Sequence, residues 1–137
     1  FIGCTALTEV QIPNSLTSIG EGAFRGCTSL TVIRIPSSVT SIDGEAFYGC
    51  TSLIDVQIPN SVTKIGRDAF YGCTALADVQ IPDSVTSIGF AAFRACKSLA
   101  NVRISGTIHV SPSVFDDLTV VHHVQEESAG TAGVYES

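Results

Sequence analysis

The chain has 137 residues, 45% of them hydrophobic, with 7 basic and 13 acidic side chains and a formal net charge of −6. That length suffices for one packed core, while the acidic balance excludes the basic footprint that nucleic acid requires. No stretch of about 18 or more apolar residues is present, so no helix is expected to insert in a membrane.

From the first residue onward, one unit is written five times. Cysteine recurs at Cys4, Cys27, Cys50, Cys73 and Cys96, always 23 residues apart, and Phe1, Phe24, Phe47, Phe70 and Phe93 keep the same step, as do Leu7, Leu30, Leu53, Leu76 and Leu99. A fixed period of this size is the signature of a solenoid whose units each touch only their neighbours. Further apolar columns run through Val10, Ile33, Val56, Val79 and Val102, and through Ile12, Ile35, Ile58, Ile81 and Ile104. One unit cannot bury so many apolar side chains alone. Stacked units can, and each buried aliphatic or Phe side chain contributes roughly 1.5–3 kcal/mol.

Within each unit, Leu30-Thr31-Val32-Ile33-Arg34-Ile35 has the cadence of a leucine-rich-repeat strand. The spacing predicts parallel strands near residues 7–12, 30–35, 53–58, 76–81 and 99–104, with Leu30, Ile33 and Ile35 inward and Thr31, Val32 and Arg34 outward. Pro13, Pro36, Pro59 and Pro82 end these strands, since proline cannot donate to a ladder. The three-residue spacing of Val39 and Ile42 predicts a second short β segment turning a corner. Gly20, Gly66 and Gly89, aligned with Asp43, suggest a turn with positive φ, whereas Gly26, Gly49 and Gly72 align with Ala95 and so argue against a glycine-only conformation there. The segment Glu45-Ala46-Phe47-Tyr48-Gly49-Cys50 reads as one helical or 3-10 turn on the opposite side of the coil.

After Ile104 the pattern decays. Ser105 stands where proline is expected, and Phe115 follows Phe93 after 22 residues. Placing Leu118 in the cysteine column, Val121 in the leucine column and Val124 in the next apolar column gives a sixth, divergent coil that caps the stack. The expected organisation is a solenoid over residues 1–124 and an acidic, flexible tail or linker over 125–137. At the other end Phe1 sits directly in a core column, so the N-terminal open edge is expected to be covered by further repeats or by another chain, and the sequence reads as a fragment.

These units, of the form I-x-I-P-x-S-V-T-S-I-G-x-x-A-F-x-G-C-x-S-L, resemble the BspA-like, or Treponema pallidum type, leucine-rich repeats over about Phe1 to Ile104. The resemblance implies a leucine-rich-repeat solenoid, mostly β, with short parallel strands and single helical or 3-10 turns per repeat. It also implies protein binding and adhesion at a cell surface or outside the cell, and it supplies no catalytic motif.

The side chains that could carry chemistry favour the same reading. The cysteines lack a C-x-x-C pair, and one ligand per coil forms a line rather than a tetrahedron, so neither metal binding nor a disulfide is expected. Free, buried thiols bonded to backbone carbonyls are the expectation. His109, His122 and His123 have no cysteine nearby, and adjacent histidines on a strand face opposite ways. No nucleophile–base pair emerges. No enzyme activity and no cofactor are expected.

Function then falls to the variable columns. On the strand face these are Glu9, Val32, Asp55, Asp78 and Asn101 beside Gln11, Arg34, Gln57, Gln80 and Arg103. On the turn face they are Arg25, Tyr48, Tyr71 and Arg94, of residue types enriched at interface hot spots. The protein-binding candidates are accordingly Gln11, Arg34, Asp55, Gln57, Asp78, Gln80 and Arg103, with the turn column competing. The expectation is a non-enzymatic module for protein interaction or surface adhesion. The alternative is a structural scaffold subunit packed into a larger multi-protein assembly.

Overall fold

A computed structural model describes residues 1–106, 108–117, 119–125 and 133–136. In chain order its strands are β1 (Glu9–Gln11), β2 (Ser18–Ile19), β3 (Val32–Arg34), β4 (Ser41–Ile42), β5 (Asp55–Gln57), β6 (Lys64–Ile65), β7 (Asp78–Ile81), β8 (Ser87–Ile88), β9 (Asn101–Ser105), β10 (Val120–Gln125) and β11 (Gly133–Glu136). Each of the first four coils contributes one strand to the strand face, turns after its proline, and contributes a two-residue strand to a second sheet. That second sheet, β2-β4-β6-β8, is parallel and uninterrupted. The strand face holds β1-β3-β5 in one parallel ladder and β7-β9-β10 in another.

The core is the set of apolar columns. Phe47, Phe70, Cys50, Cys73, Leu53, Leu76, Ile42 and Ile65 are fully buried. The Phe rings from Phe1 through Phe24, Phe47, Phe70 and Phe93 to Phe115 stack at centroid separations of 5.0–5.5 Å, one ring per coil. Nearly parallel rings at this distance are offset stacks, and a column of them resists one coil tilting on the next. The thiols of Cys27, Cys50, Cys73 and Cys96 donate to the carbonyls of Phe1, Phe24, Phe47 and Phe70 at 3.0–3.2 Å. Thr40, Thr63 and Thr86 donate from Oγ1 to the Thr carbonyl one coil back, each at 3.2 Å.

The helical turn expected at Glu45–Cys50 is instead a run of tight turns. The amides of Ala46, Tyr48 and Cys50 close turns on the carbonyls three residues back, while those of Glu45, Phe47 and Gly49 donate to Arg67, Ala69 and Tyr71 of the next coil. A helix directs every amide along its own axis, whereas alternation gives half of them to the neighbouring coil and leaves none unpaired. Left-handed residues at both ends, Glu45 (φ 57) and Gly49 (φ 72), prevent helical propagation. The 3-10 helix found among the described residues is Pro112–Val114, in the divergent coil.

Positive φ therefore falls at Gly22, Glu45, Asp68 and Ala91, two residues beyond the expected Gly20/Asp43/Gly66/Gly89 column. Gly66 and Gly89 are small for a different reason: a Cβ would lie 2.5 Å from the Gly44 amide nitrogen and 2.4 Å from that of Arg67. Close backbone approach selects glycine there, not chirality. Conversely Gly26, Gly49 and Gly72 do take φ 72–74, and Ala95 follows them at φ 58, accepting the left-handed strain.

The sixth coil is shorter than expected. Phe115 does stack on Phe93, but β10 pairs Val121 with Val102 and His123 with Ile104, so Val121 does not fill the leucine column and Val124 lies opposite Ser105. Three residues are missing between the Phe and the strand, because Asp116 and Thr119 close the corner with a single turn. Leu118 lies outside the described residues. Asp116 also ends the stack: its Oδ1 accepts from the Ala95 amide at 3.0 Å, where the Gly72 amide one coil earlier donates to the Arg94 carbonyl. Of the segment read as an acidic tail or linker, Gly133–Glu136 forms β11, antiparallel to β10, with His122 opposite Glu136 and Gln125 opposite Gly133. The rest of that segment beyond Gln125 lies outside the described residues.

Candidate interaction surface

Strand alternation positions the variable columns. In β5 and β7 the middle residue faces the core, so Asp55 and Gln57, then Asp78 and Gln80, are exposed around buried Val56 and Val79. Parallel register brings Gln11 beside Arg34, Arg34 beside Gln57, and Gln80 beside Arg103. All seven strand-face candidates are thus exposed and share one surface. His122 pairs in register with Arg103 and extends the column by one coil. Its ring lies 3.1 Å from Asn101 Oδ1.

Two of the grooves along this face follow its polar columns. One, of about 520 Å³, lies over Asp55, Gln57, Asp78, Gln80 and Arg103, with Asn60 and Asp83 on its rim. The other, of about 470 Å³, lies over Glu9, Gln11 and Arg34. The larger groove sits where the ladder is interrupted: among the described residues β5 and β7 are not joined by strand pairing. Asp55 and Asp78 flank this seam on the same side, and like charges so placed oppose pairing. Asn60 and Asp83 were missed by sequence reasoning, though both occupy the column that directly follows Pro59 and Pro82.

The turn-face candidates largely satisfy one another. Tyr48 and Tyr71 stack at 5.1 Å, and the Arg25 guanidinium lies 4.6 Å above the Tyr48 ring. Arg25 Nη1 also donates to Glu45 Oε2 at 2.6 Å. Both tyrosines are half-buried in this arrangement, and so is Arg94. The Tyr48 ring is thus contacted by both Arg25 and Tyr71 before any partner arrives.

The thiols are tuned against reactivity. Burial pushes Cys50 and Cys96 up to about 12 from the ordinary 9.0, and it raises Cys27 and Cys73 too. A thiol so protonated is a poor nucleophile and a poor metal ligand. Among the described residues no group of three or more His, Cys, Asp or Glu could hold a metal ion, and no helix is long and apolar enough to cross a membrane.

The repeat is recognised over residues 1–121 as six copies of the BspA type Leucine rich repeat region. The chain belongs to the BspA-type leucine-rich-repeat family. Similar solved structures agree. A leucine-rich repeat protein of T. pallidum matches at 37% identity and TM-score 0.78, over 88% of this chain and 58% of that one. A leucine-rich repeat protein from Bacteroides ovatus matches at 31% identity and TM-score 0.76, over 93% of this chain and 39% of that one. A leucine rich cell surface protein from Faecalibacterium prausnitzii matches at 30% identity and TM-score 0.64, over 96% of this chain and 40% of that one. This BspA-type chain therefore spans about two fifths to three fifths of the proteins it matches. A search of curated proteins gave no match.

Proposed function

We propose that this BspA-type solenoid is a non-enzymatic protein-interaction module that engages its partner with the strand face, in the service of adhesion at a cell surface. One observation carries the reading. The strand face presents aligned, exposed polar columns lining grooves, while on the turn face Arg25 stacks on Tyr48 and Tyr48 on Tyr71. A partner meeting the strand face has exposed polar groups to bond, on strands already held rigid by their neighbours, so little ordering entropy opposes association. The groups elsewhere that could do chemistry hold structural posts: thiols bonded to Phe carbonyls, and threonine hydroxyls bonded to the coil behind. A surface role is supported by the likeness to the F. prausnitzii cell surface protein.

The test is photo-crosslinking from probes placed at Gln57 and at Tyr71, using the full-length protein on intact cells of the source. Capture of an extracellular protein from the Gln57 probe, lost on Arg34→Glu with Gln57→Glu in a neighbouring-probe version, supports the reading. Capture from Tyr71 alone moves the site to the turn face. Stoichiometric co-purification with fixed subunits argues instead for a scaffold.

A further inference from the structure

Along the solenoid axis the strand-face charges run acidic at Glu9 on the first coil, then basic, acidic, acidic and basic. Arg34 stands on the second coil, Asp55 and Asp78 on the third and fourth, and Arg103 on the fifth. Among the described residues the ion pairs are Arg25–Glu45 and Arg67–Asp68, so none of these four charges is neutralised by a salt bridge. Asp55 has one long contact, 3.5 Å from Gln57 Nε2.

Resting on the reading that the strand face is the docking surface, we infer that its partner is an extended polypeptide segment with the facing pattern acidic-x-basic-x-acidic. It would lie along the solenoid axis, with the basic side chain in the groove between Asp55 and Asp78. The spacing fixes the pattern. Neighbouring strands of a ladder lie about 4.8 Å apart, so the midpoint between Asp55 and Asp78 lies one and a half coils, about 7 Å, from the level of either arginine. An extended chain advances about 3.3 Å per residue and repeats a face every second residue, or about 6.6 Å. Side chains at i, i+2 and i+4 therefore meet Arg34, the Asp pair and Arg103 in turn, and the flexible arginines take up the remaining offset. Gln57 and Gln80, exposed between the charges, can bond the partner's backbone from either side, since an amide both donates and accepts. From Arg34 to Arg103 the charge pattern reads the same from either end, so over those four coils it specifies composition and spacing without fixing chain direction.

The probe is a fluorescein-labelled peptide, Ser-Glu-Thr-Lys-Thr-Glu-Ser, compared with its charge-reversed partner Ser-Lys-Thr-Glu-Thr-Lys-Ser by anisotropy against the folded chain at low ionic strength. The matched peptide should bind about tenfold more tightly, and the preference should shrink steeply with added salt. Asp55→Asn with Asp78→Asn should abolish the preference without lowering the melting temperature, since it removes a like-charge pair. Equal binding of both peptides, or binding of neither, overturns the inference. So does calcium binding alone that the same double substitution removes, which would make the groove a cation site. If crosslinking still finds a partner at Gln57 while the two peptides bind alike, the docking surface stands and the charge pattern falls; if the partner is captured only at Tyr71, both fall.

Discussion

Single residues in this chain do work that their column identity conceals. Cys50 is buried, donates to the Phe24 carbonyl at 3.1 Å and holds its proton up to about pH 12, against 9.0 for an ordinary thiol. Because the folded value lies above the unfolded one, the unfolded chain releases protons first as pH rises. The thiol's contribution to stability is therefore complete below pH 9 and declines between pH 9 and 12. Denaturation midpoints measured from pH 8 to 10.5 should fall, and fall less in Cys50→Ala. Labelling of the folded protein at pH 8 should be slow at Cys27, Cys50, Cys73 and Cys96 and complete in denaturant; rapid labelling of all four contradicts the buried ladder. Cys50→Ser should cost roughly 1–3 kcal/mol, since the shorter C–O bond draws the donor away from its carbonyl. Ala95 offers the opposite case. It holds φ 58 in a column otherwise occupied by glycine, so Ala95→Gly should stabilise by about 0.5–1 kcal/mol in urea unfolding, whereas Gly49→Ala should destabilise by a similar amount.

Between elements, hydrogen bonds replace one another where the repeat ends. Gly72 donates to the next coil's Arg94 carbonyl, and Ala95, lacking such a carbonyl, donates to Asp116. Asp116→Ala should cost about 1–2 kcal/mol and speed hydrogen exchange at the Ala95 amide, with Asp116→Asn recovering part of both because its side-chain oxygen still accepts. No change in exchange at Ala95 would mean that the carboxylate is incidental. The strand face shows a second kind of boundary. The ladder stops between β5 and β7 while the sheet behind it, β2-β4-β6-β8, runs on through all four coils. The stack is thus held continuous by its corner strands and its Phe column, leaving the seam free to form a groove.

For the whole molecule, the ranking of the two exposed faces is the consequence that matters. Arg34→Glu with Gln57→Glu removes exposed groups that support no internal contact of note, so partner binding should weaken while Tm stays constant. Tyr48→Ala with Tyr71→Ala breaks a stacked pair and the Arg25 contact, so it should lower stability by about 1 kcal/mol yet change binding less. Surface plasmon resonance and calorimetry on the same variants separate the two effects. A larger binding loss from the tyrosine pair reverses the ranking.

The period of 23 residues, the inward columns, the strand positions and the buried thiols were all legible in the sequence, because a repeat writes each environment several times and the residues tolerated at a column reveal it. So was the exposure of the seven strand-face residues, since alternation on a strand decides which residues face out. Three things belonged to the tertiary structure alone. The position of the left-handed residues depends on which amides the next coil accepts, so Glu45 and Asp68 carry positive φ while Gly66 and Gly89 answer only to a neighbour's backbone. The register of β10 depends on how tightly Asp116 and Thr119 close the last corner, and no column spacing encodes a loop shortened by three residues. Finally, the contacts of the turn column depend on neighbouring coils: in the sequence Arg25, Tyr48 and Tyr71 are a competing candidate strip, and the fold stacks Arg25 on Tyr48 and Tyr48 on Tyr71. Sequence columns report what each position tolerates; which exposed groups remain unpaired is settled only when neighbouring coils meet.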